Sequence, residues 1–303
     1  MIDMTLLMVK PRHFGFNQET ATSNAFQQKD WTDEILKASL KEFDQVVYLL
    51  QQNDIAMECF IDTPHPVKPD AIFPNNWFSA HPDGRVILYP MMAPNRRPER
   101  RLDILDWLKK NFHVSDVIDL AHYEEKNLFL EGTGSICFDH VNKTALANIS
   151  GRTHETVLRD LCQKVGYDYI LFQAHDEAEI PIYHTNVMLW MGKQVACICL
   201  DSISSETEQD QLLDFFERTQ RKVIALSHVQ VRAFAGNVIE VFDRSGINHF
   251  LMSDTALRSL HAGQVKALEL LGDLLTVSIP TIQSVGGGGI RCMVADIHLP
   301  PRR

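Results

Sequence analysis

Three side chains from distant parts of the sequence could together form an activated thiol nucleophile. Cys292 follows a run of four glycines, residues 286–289, near the carboxyl end of the chain. Glycine is unfavourable inside helices and strands, but it lets a backbone approach a ligand closely. This run is therefore typical of a loop at a ligand-binding or catalytic site. His184 and Glu131 lie upstream in similar loop-to-strand segments. A cysteine, a histidine and a carboxylate in contact would provide a nucleophile, its general base and a group that orients the base.

A repeat along the chain indicates how these residues come together. A small residue followed by an apolar strand recurs at intervals of 51 to 59 residues. The five anchor residues of this repeat are Asn76, Ser135, Asn186, Asn237 and Cys292. After each of the first four anchors the pattern predicts a hairpin, an amphipathic helix and a short strand. The amino-terminal segment supplies a fifth helix, with apolar positions from Ile35 to Leu50, and a strand over residues 55–61. The sequence therefore predicts five ββαβ units.

The four helices that follow the hairpins have apolar residues at helical spacing. These residues are Leu102, Leu105 and Leu108 in the first helix, Val157, Leu158, Leu161, Cys162 and Val165 in the second, Leu212, Leu213 and Phe216 in the third, and Leu257, Leu260, Leu268 and Leu271 in the fourth. Ser205 and Glu208 have the spacing of a capping box at the start of the third helix.

The two ends of the chain are predicted to pair with each other. The last strand, residues 293–299, has no hairpin partner after it, and residues 6–9 have none before them. Pairing these strands would close the ring of units and leave no exposed edge. We therefore predict an α/β fold, a closed five-bladed α/β propeller, as a single catalytic domain over residues 1–303. Equivalent positions would then surround one central pit, with His184 and Glu131 at its rim.

The composition argues against several classes of function. The chain has 303 residues, 45% of them hydrophobic, and a formal net charge of −10 without long basic runs. These features favour a sizeable core and disfavour nucleic-acid or membrane partners. No apolar stretch is long enough for a transmembrane helix, and Asp3 stands where a signal peptide would be basic. Six cysteines without a Cys-x-x-Cys pair indicate free thiols rather than disulfides or zinc, so we expect a cytoplasmic protein without a metal.

Short motifs near the predicted pit occur in a fixed order. They are DAIFPNN at residues 70–76, NRRPE at 95–99, LEGTG at 130–134, SGRT at 150–153, YHTN at 183–186 and GGIRCM at 288–293. With these motifs the chain resembles, over almost its full length, the guanidino-group-modifying superfamily. That superfamily includes arginine deiminases, agmatine deiminases, dimethylarginine dimethylaminohydrolases and arginine:glycine amidinotransferases. The resemblance implies the five-bladed α/β propeller, or pentein fold, and cysteine-dependent hydrolysis of a carbon–nitrogen bond without a cofactor.

The resemblance also implies roles for individual residues. Cys292 matches the nucleophile, His184 the group that protonates the departing nitrogen and then activates water, and Glu131 its acidic partner. The implied substrate-binding residues are Asp70, Asn75, Asn76, Arg96, Arg152 and Asn186, with the two arginines on an α-carboxylate and Asp70 on the amine. We further expect Glu131 to favour the cationic imidazole and Arg291 to favour the thiolate of Cys292.

Two departures from the superfamily pattern bear on the substrate. Asn76 stands where an aspartate usually grips the guanidinium, and Asn186 stands where deiminases have an aspartate two residues after the histidine. Both changes remove negative charge from the place of a cationic group. A ureido group is neutral and needs only hydrogen bonds, which amides can supply. The chain is accordingly most similar to the citrulline-utilising hydrolases, and we expect it to convert citrulline, a small amino acid, to ornithine.

Other interpretations stay open. Arginine deiminase, dimethylarginine dimethylaminohydrolase or amidinotransferase activity would use the same residues. The predicted propeller also resembles a ribosome-subunit anti-association factor, which is a binding module and needs no Cys–His–acid set. A papain-like protease would carry its cysteine near the amino terminus in a sequence context absent here. Among single residues, Cys292 could be a buried structural thiol and Arg96 could only pair with Glu99. A homodimer would suit the superfamily.

Overall fold

Residues 4–21, 23–24, 26–27 and 32–302 are described by the computed structural model. Asp3, on which the expectation about a signal peptide depends, lies outside these residues. The strands are β1 (Thr5–Lys10), β2 (Met57–Ile61), β3 (Phe78–Ala80), β4 (Arg85–Leu88), β5 (Asp116–Asp119), β6 (Ile136–Asp139), β7 (Thr144–Asn148), β8 (Asp168–Phe172), β9 (Leu189–Met191), β10 (Val195–Ile198), β11 (Lys222–Ala225), β12 (Ile239–Phe242), β13 (Asn248–Ser253), β14 (Asp273–Val277) and β15 (Ala295–Ile297). The helices are α1 (Gln18–Ala21), α2 (Asp33–Gln52), α3 (Leu102–Asn111), α4 (Gly132–Ser135), α5 (Glu155–Val165), α6 (Glu206–Arg218), α7 (His228–Arg232), α8 (Asp254–Ser259) and α9 (Ala262–Glu269).

The strands pair in five three-stranded units with one pattern. The units are β3–β4–β5, β6–β7–β8, β9–β10–β11, β12–β13–β14 and β15–β1–β2. In each unit the first two strands are antiparallel and the third runs parallel to the second. A parallel neighbour cannot be reached by a tight turn, and at least one helix makes each of these crossovers. The predicted ββαβ repeat is therefore present in the chain.

The amino- and carboxyl-terminal strands pair as predicted. β1 and β15 are antiparallel, with Thr5 opposite Ile297 and Leu7 opposite Ala295. Because β1 also pairs with β2, it is the central strand of its unit, and residues 6–9 are all buried. β15 in turn pairs with β3, which joins two units into a six-stranded sheet.

Three predicted elements differ in detail. Leu102 is 76% exposed because it is the first residue of α3, whose buried face is formed by later residues. The fourth helix is divided into α8 and α9, where the side chain of Gln264 accepts a hydrogen bond from the backbone of His261 and caps the second piece. The last strand begins only at Ala295, because Cys292 lies in a 3-10 turn before it.

The anchor residues lie in the connections that lead from one unit to the next. Four of them lie in short helical turns, Pro74–Asn76, Gly132–Ser135, Thr185–Val187 and Ile290–Met293, and Asn237 lies in the loop before β12. The chain thus places each anchor ahead of the first strand of a unit rather than within it. None of the described helices is both long enough and apolar enough to cross a membrane.

Candidate active site

Anchor residues from three units contact one another around the thiol of Cys292. Asn237 Nδ2 lies 3.2 Å from Cys292 Sγ, and Asn186 Nδ2 lies 3.7 Å from it. The same Asn237 nitrogen donates to the backbone oxygen of Asn186 at 2.8 Å. Glycine permits this close approach, because a Cβ at Gly289 would lie 2.6 Å from Asn237 Oδ1. The repeat therefore does bring residues more than a hundred positions apart into one buried cluster.

His184 and Glu131 form a buried pair in the same place. His184 Nε2 and Glu131 Oε2 are 2.9 Å apart, and both side chains are inaccessible to solvent. The other carboxylate oxygen of Glu131 accepts a hydrogen bond from the backbone of Met92 at 3.0 Å. The carboxylate is thus fixed from two sides and can orient the imidazole, which is the arrangement expected of a general base and its acidic partner.

Burial and nearby charges together determine the charge states of this pair. Burial favours a raised pKa for Glu131, but Arg152, the hydrogen bond with His184, and Arg96 together hold its pKa well below the usual range. Burial lowers the pKa of His184 to about 4, although its hydrogen bond with Glu131 acts in the opposite direction. The predicted effect of Glu131, to favour the cationic imidazole, is present in the structure, but the effect of burial is larger. Glu131 is therefore ionised and His184 is neutral at rest.

The thiol of Cys292 is likewise neutral at rest. Burial raises its pKa, and the hydrogen bond from Asn237 and the charge of Arg291 offset this only in part. The guanidinium of Arg291 lies 2.7 Å from Asp296 Oδ1, so most of its charge is satisfied there. Arg291 does act in the predicted direction, because it lowers the pKa of Cys292, but burial has the larger effect and the thiol stays protonated at rest. The thiol and His184 line the same cavity. Binding of a substrate would have to trigger the transfer of the thiol proton to His184.

The guanidinium of Arg96 is already bonded to other side chains of the protein. Its guanidinium makes a two-pronged ion pair with Glu99, at 2.9 and 2.8 Å, and donates to Asn76 Oδ1 at 2.9 Å. The pairing with Glu99, considered from the sequence as a surface contact, is in fact buried. Arg96 thereby orients the Asn76 amide, whose Nδ2 finds no hydrogen-bond acceptor among the described residues.

Arg152 has weaker partners and lies against the amino-terminal segment. It contacts Glu131 at 3.3 Å, Ser23 Oγ at 2.7 Å and the backbone oxygen of Thr20 at 3.0 Å. Its guanidinium also stacks over the ring of Tyr183, 4.9 Å from the ring centre. The oxygens of Ser23 and Thr20 are neutral, and a substrate carboxylate would form stronger hydrogen bonds with the guanidinium than they do.

Asp70 and Asn75 complete the set of predicted binding residues. Asp70 Oδ2 accepts hydrogen bonds from Asn17 at 2.7 Å and Thr20 at 3.1 Å, whereas its Oδ1 has no partner within the described part of the chain. Asn75 is buried beside the turn and neither of its amide atoms is paired there, but it does not line the cavity at Cys292. Asp70 is thus placed to receive a cationic group, and Asn75 is not.

The cavity at Cys292 has a volume of about 20 Å³, enough for roughly one water molecule. Its walls are formed by Thr20, Asn24, Asp70, Phe73, Asn76, Arg96, Arg152, Tyr183, His184, Gly286, Gly287, Gly288 and Cys292. Thr20, Asn24 and Tyr183 were not predicted as site residues. Thr20 and Asn24 lie between β1 and α2, where the repeat pattern predicted no element, and Tyr183 was marked only by its neighbour His184. An amino acid needs more space than this cavity provides.

Other cavities do not contain the thiol. A mostly apolar one of about 590 Å³ is lined in part by Tyr183 and Ser23. Another, of about 330 Å³, is lined in part by Thr133 and Asn186. No group of three His, Cys, Asp or Glu side chains in the described ranges is arranged to hold a metal ion.

The five repeated units, the buried Cys292 and the His184–Glu131 pair define a hydrolase of the guanidino-group-modifying superfamily, which acts on carbon–nitrogen bonds other than peptide bonds. Within it, the sequence model of the family described as N,N dimethylarginine dimethylhydrolase, eukaryotic, matches residues 10–299, and the chain belongs to this family. A search of curated proteins found no match.

Solved structures show the same fold at low identity. The N-terminal domain of ArgZ, an arginine dihydrolase of cyanobacteria solved with substrate, is 14% identical with a TM-score of 0.77, covering 98% of this chain and 99% of that one. Full-length ArgZ is 15% identical with the same TM-score, and there the match covers 98% of this chain but only 41% of that one. A dimethylarginine dimethylaminohydrolase adduct with S-methyl-L-thiocitrulline is 14% identical with a TM-score of 0.69, covering 97% and 99% of the two chains.

Proposed function

We propose that this protein hydrolyses the ureido group of citrulline and releases ornithine, ammonia and carbon dioxide. The observation that carries the proposal is the chemistry of the groups around Cys292 Sγ. Asn186 and Asn237 contact the sulfur, and Asn76, whose amide nitrogen is unpaired, lines the cavity at Cys292. Amides suit a neutral planar group, whereas a desolvated guanidinium needs a nearby anion.

Glu131, the hydrogen-bond partner of His184, does not supply that anion. Glu131 is ionised, but Arg152 lies 3.3 Å from it and Arg96 lies 4.0 Å from it. Two guanidinium groups therefore compensate its charge before any substrate binds. Little of the negative charge of Glu131 is left for a cationic substrate head, and Asp70 is assigned below to the α-ammonium group, which favours citrulline over arginine.

The proposed reaction begins when Cys292 loses its proton to His184 and Sγ attacks the ureido carbon. His184 returns the proton to the departing nitrogen, the carbon–nitrogen bond breaks, and the carbonyl carbon stays bonded to sulfur. His184 then takes a proton from water as the oxygen attacks, and the carbon–sulfur bond breaks to regenerate the thiol. The carbamate so formed loses carbon dioxide, and one water is consumed per turnover, whichever carbon–nitrogen bond breaks first.

The backbone of the amino acid would be held away from the thiol. We assign the α-carboxylate to Arg152, whose bonds to Ser23 and Thr20 are with neutral oxygens that a carboxylate can replace. The α-ammonium is assigned to the unpaired Oδ1 of Asp70. Arg96, already paired with Glu99 and Asn76, serves in this proposal to orient the amide of Asn76 rather than to bind the carboxylate.

A second candidate is hydrolysis of arginine or of a methylated arginine. It is favoured by the names of the similar proteins, an arginine dihydrolase and the dimethylarginine dimethylhydrolase family. The test is an assay of the purified protein with citrulline, arginine, dimethylarginine and agmatine, in which ornithine, citrulline, ammonia and dimethylamine are quantified. Ornithine from citrulline with a higher kcat/KM than for any other substrate supports the proposal. Faster turnover of arginine or dimethylarginine would replace it with the second candidate.

The proposal extends to the assembly of the fold. We propose that the five units close into one propeller, a single domain with the site on its axis, supported by the pairing of β1 with β15 and by contacts among anchors. All six cysteines are unpaired, which supports a reducing compartment such as the cytoplasm. The homodimer stays a prediction.

A further inference from the structure

Asn237 belongs to the anchor repeat but was not among the predicted catalytic or binding residues, and its side chain makes the shortest contact to the nucleophilic sulfur. Its Nδ2 is 3.2 Å from Cys292 Sγ. The amide of Asn186 is less directed, because its nitrogen and its oxygen lie at nearly equal distances from Sγ, 3.7 and 3.9 Å. Asn237 is therefore the defined hydrogen-bond donor to the sulfur.

The orientation of the Asn237 amide is determined by its other partners. The Nδ2 group has two hydrogens, and one of them is used on the backbone oxygen of Asn186 at 2.8 Å. A reversed amide would place two oxygens against each other there. The Oδ1 atom instead accepts from the backbone N–H of Cys292 at 3.4 Å. One side chain thus holds both the backbone and the sulfur of the nucleophile.

The surrounding backbone is shaped to admit this side chain. Phe234, three residues before Asn237, has a φ of +64°, a left-handed conformation that costs free energy for a residue with a Cβ. A Cβ at Gly236 would lie 2.1 Å from the backbone oxygen of Val187, so the loop packs directly on the connection that carries Asn186. A Cβ at Gly289 would collide with Asn237 Oδ1. Two connections therefore depend on glycine to bring Asn237 to the thiol.

We infer that Asn237 is a catalytic residue that donates a hydrogen bond to the sulfur of Cys292 and stabilises the thiolate each time it forms. The thiolate forms twice in a turnover, once before attack on the substrate and once when water displaces the carbon from sulfur. No cation bonds to Sγ within the described residues, and the guanidinium of Arg291 is held by Asp296. An amide donor suits a neutral substrate because it stabilises the anion without adding positive charge to the cluster. The inference rests on the proposed function only in taking Cys292 as the nucleophile.

The test measures the thiol without any substrate. The rate at which iodoacetamide alkylates Cys292, followed by peptide mass spectrometry, is recorded against pH for wild type, Asn237→Leu and Asn237→Ser. Leucine keeps the approximate shape and removes the donor, whereas serine keeps a shorter hydroxyl donor. We expect the midpoint of the profile to move up by about one pH unit or more in Asn237→Leu, and by less in Asn237→Ser. The kcat/KM of Asn237→Leu for the substrate found in the assay should fall about 10- to 100-fold.

Asn148 provides the matched control, since it is a buried asparagine whose amide bonds only to the backbone of Ile182 and Ala174. Asn148→Leu should lower thermal stability without moving the alkylation midpoint. If Asn237→Leu does not fold, Gly289→Ala tests the same contact, because its Cβ displaces Asn237 Oδ1. Folded variants at Asn237 or Gly289 with the wild-type midpoint would overturn the inference. A shifted midpoint in a protein that does not turn over citrulline would refute the substrate and leave the role of Asn237 standing.

Discussion

At the scale of single residues, the raised pKa of Cys292 has a direct consequence for replacement of the thiol. Cys292 is buried with a raised pKa, and a serine hydroxyl in its place would be far less acidic still. We predict that Cys292→Ser folds normally, because the two side chains differ little in size, and loses activity by about a thousandfold or more. Circular dichroism and an ornithine assay check both parts. A folded variant with the wild-type rate would contradict covalent catalysis.

The pH dependence follows from the lowered pKa of His184. The imidazole must be unprotonated to accept the thiol proton, so activity is present above its pKa and is lost as the pH falls through it. Because burial lowers that pKa to about 4, the acidic limb of kcat/KM should have its midpoint near pH 4 rather than near 6.5. The measurement is a kcat/KM profile from pH 3.5 to 8, with circular dichroism at each point to separate titration from unfolding. A midpoint near 6.5 would show that the imidazole is not desolvated.

Substrate choice can be shifted by restoring charge at the two asparagines. Asn76→Asp would place its carboxylate on Arg96, which already lies 2.9 Å from Asn76 Oδ1, so much of the added charge would be neutralised. No cation bonds to the Asn186 side chain within the part of the chain that the structure describes, and its amide lies beside the sulfur. We therefore expect Asn186→Asp to move the kcat/KM ratio toward arginine on the order of tenfold, and Asn76→Asp to move it less. Asn186→Asp should also be slower on both substrates, because an anion disfavours the thiolate. An unchanged ratio in both variants would exclude charge as the basis of selectivity.

The identities of Cys292, His184 and Glu131 could be predicted from sequence because motif and repeat agree on their positions. Their protonation states could not, because they depend on burial and on partners such as Arg96 and Arg152 that are far away in the chain. The same reason explains why Arg96 was assigned to the substrate carboxylate. Its pairing with Glu99 was visible at i, i+3, but its complete burial was not.

At the scale of elements, the repeat of strands and helices was predictable because hairpins and amphipathic helices leave periodic patterns. The turns that carry the anchors were not, since three or four residues such as Thr185–Val187 are too short to show a period. The capping box predicted from Ser205 and Glu208 is also only half formed. Ser205 caps α6 as predicted, but Glu208 bonds to the backbone of Gln173 at 3.0 Å instead of completing the capping box.

Glycines in two helices provide an element-level test. A Cβ at Gly134, in α4, would lie 2.4 Å from Asn76 Nδ2 and 2.8 Å from His184 Nδ1. Gly134→Ala should therefore displace these groups and lower activity by about tenfold or more, at a cost in stability of about 1–3 kcal/mol. Gly263, in α9, has open space around the same position. Gly263→Ala should raise the free energy of unfolding by about 0.5–1 kcal/mol with unchanged activity. Urea unfolding and the ornithine assay on both variants check the pair, and an equal response from both would contradict the packing around Gly134.

At the scale of the whole molecule, the nucleophile is supported by the far end of the chain. β1 lies between β2 and β15, and Leu7 pairs with Ala295, three residues after Cys292. The pairing was predictable from two strands without hairpin partners. The small size of the cavity at Cys292 was not predictable, because its walls include Thr20 and Asn24, which lie between β1 and α2 where no element was predicted.

If the molecule is one closed domain, weakening this distant strand should destabilise every unit together. Leu7 is completely buried, so Leu7→Ala should lower the free energy of unfolding by about 2–5 kcal/mol. Lys10→Ala, at the end of the same strand, removes only a solvent-accessible ion pair with Asp44 and should cost less than about 1 kcal/mol. Unfolding in urea would be followed by tryptophan fluorescence, which reports on several units, and by the accessibility of Cys292 to iodoacetamide. A single domain requires both probes to change at the same urea concentration in wild type and in Leu7→Ala. Exposure of Cys292 at a lower concentration than the fluorescence change would mean that its unit opens independently, and the closed propeller would have to be abandoned.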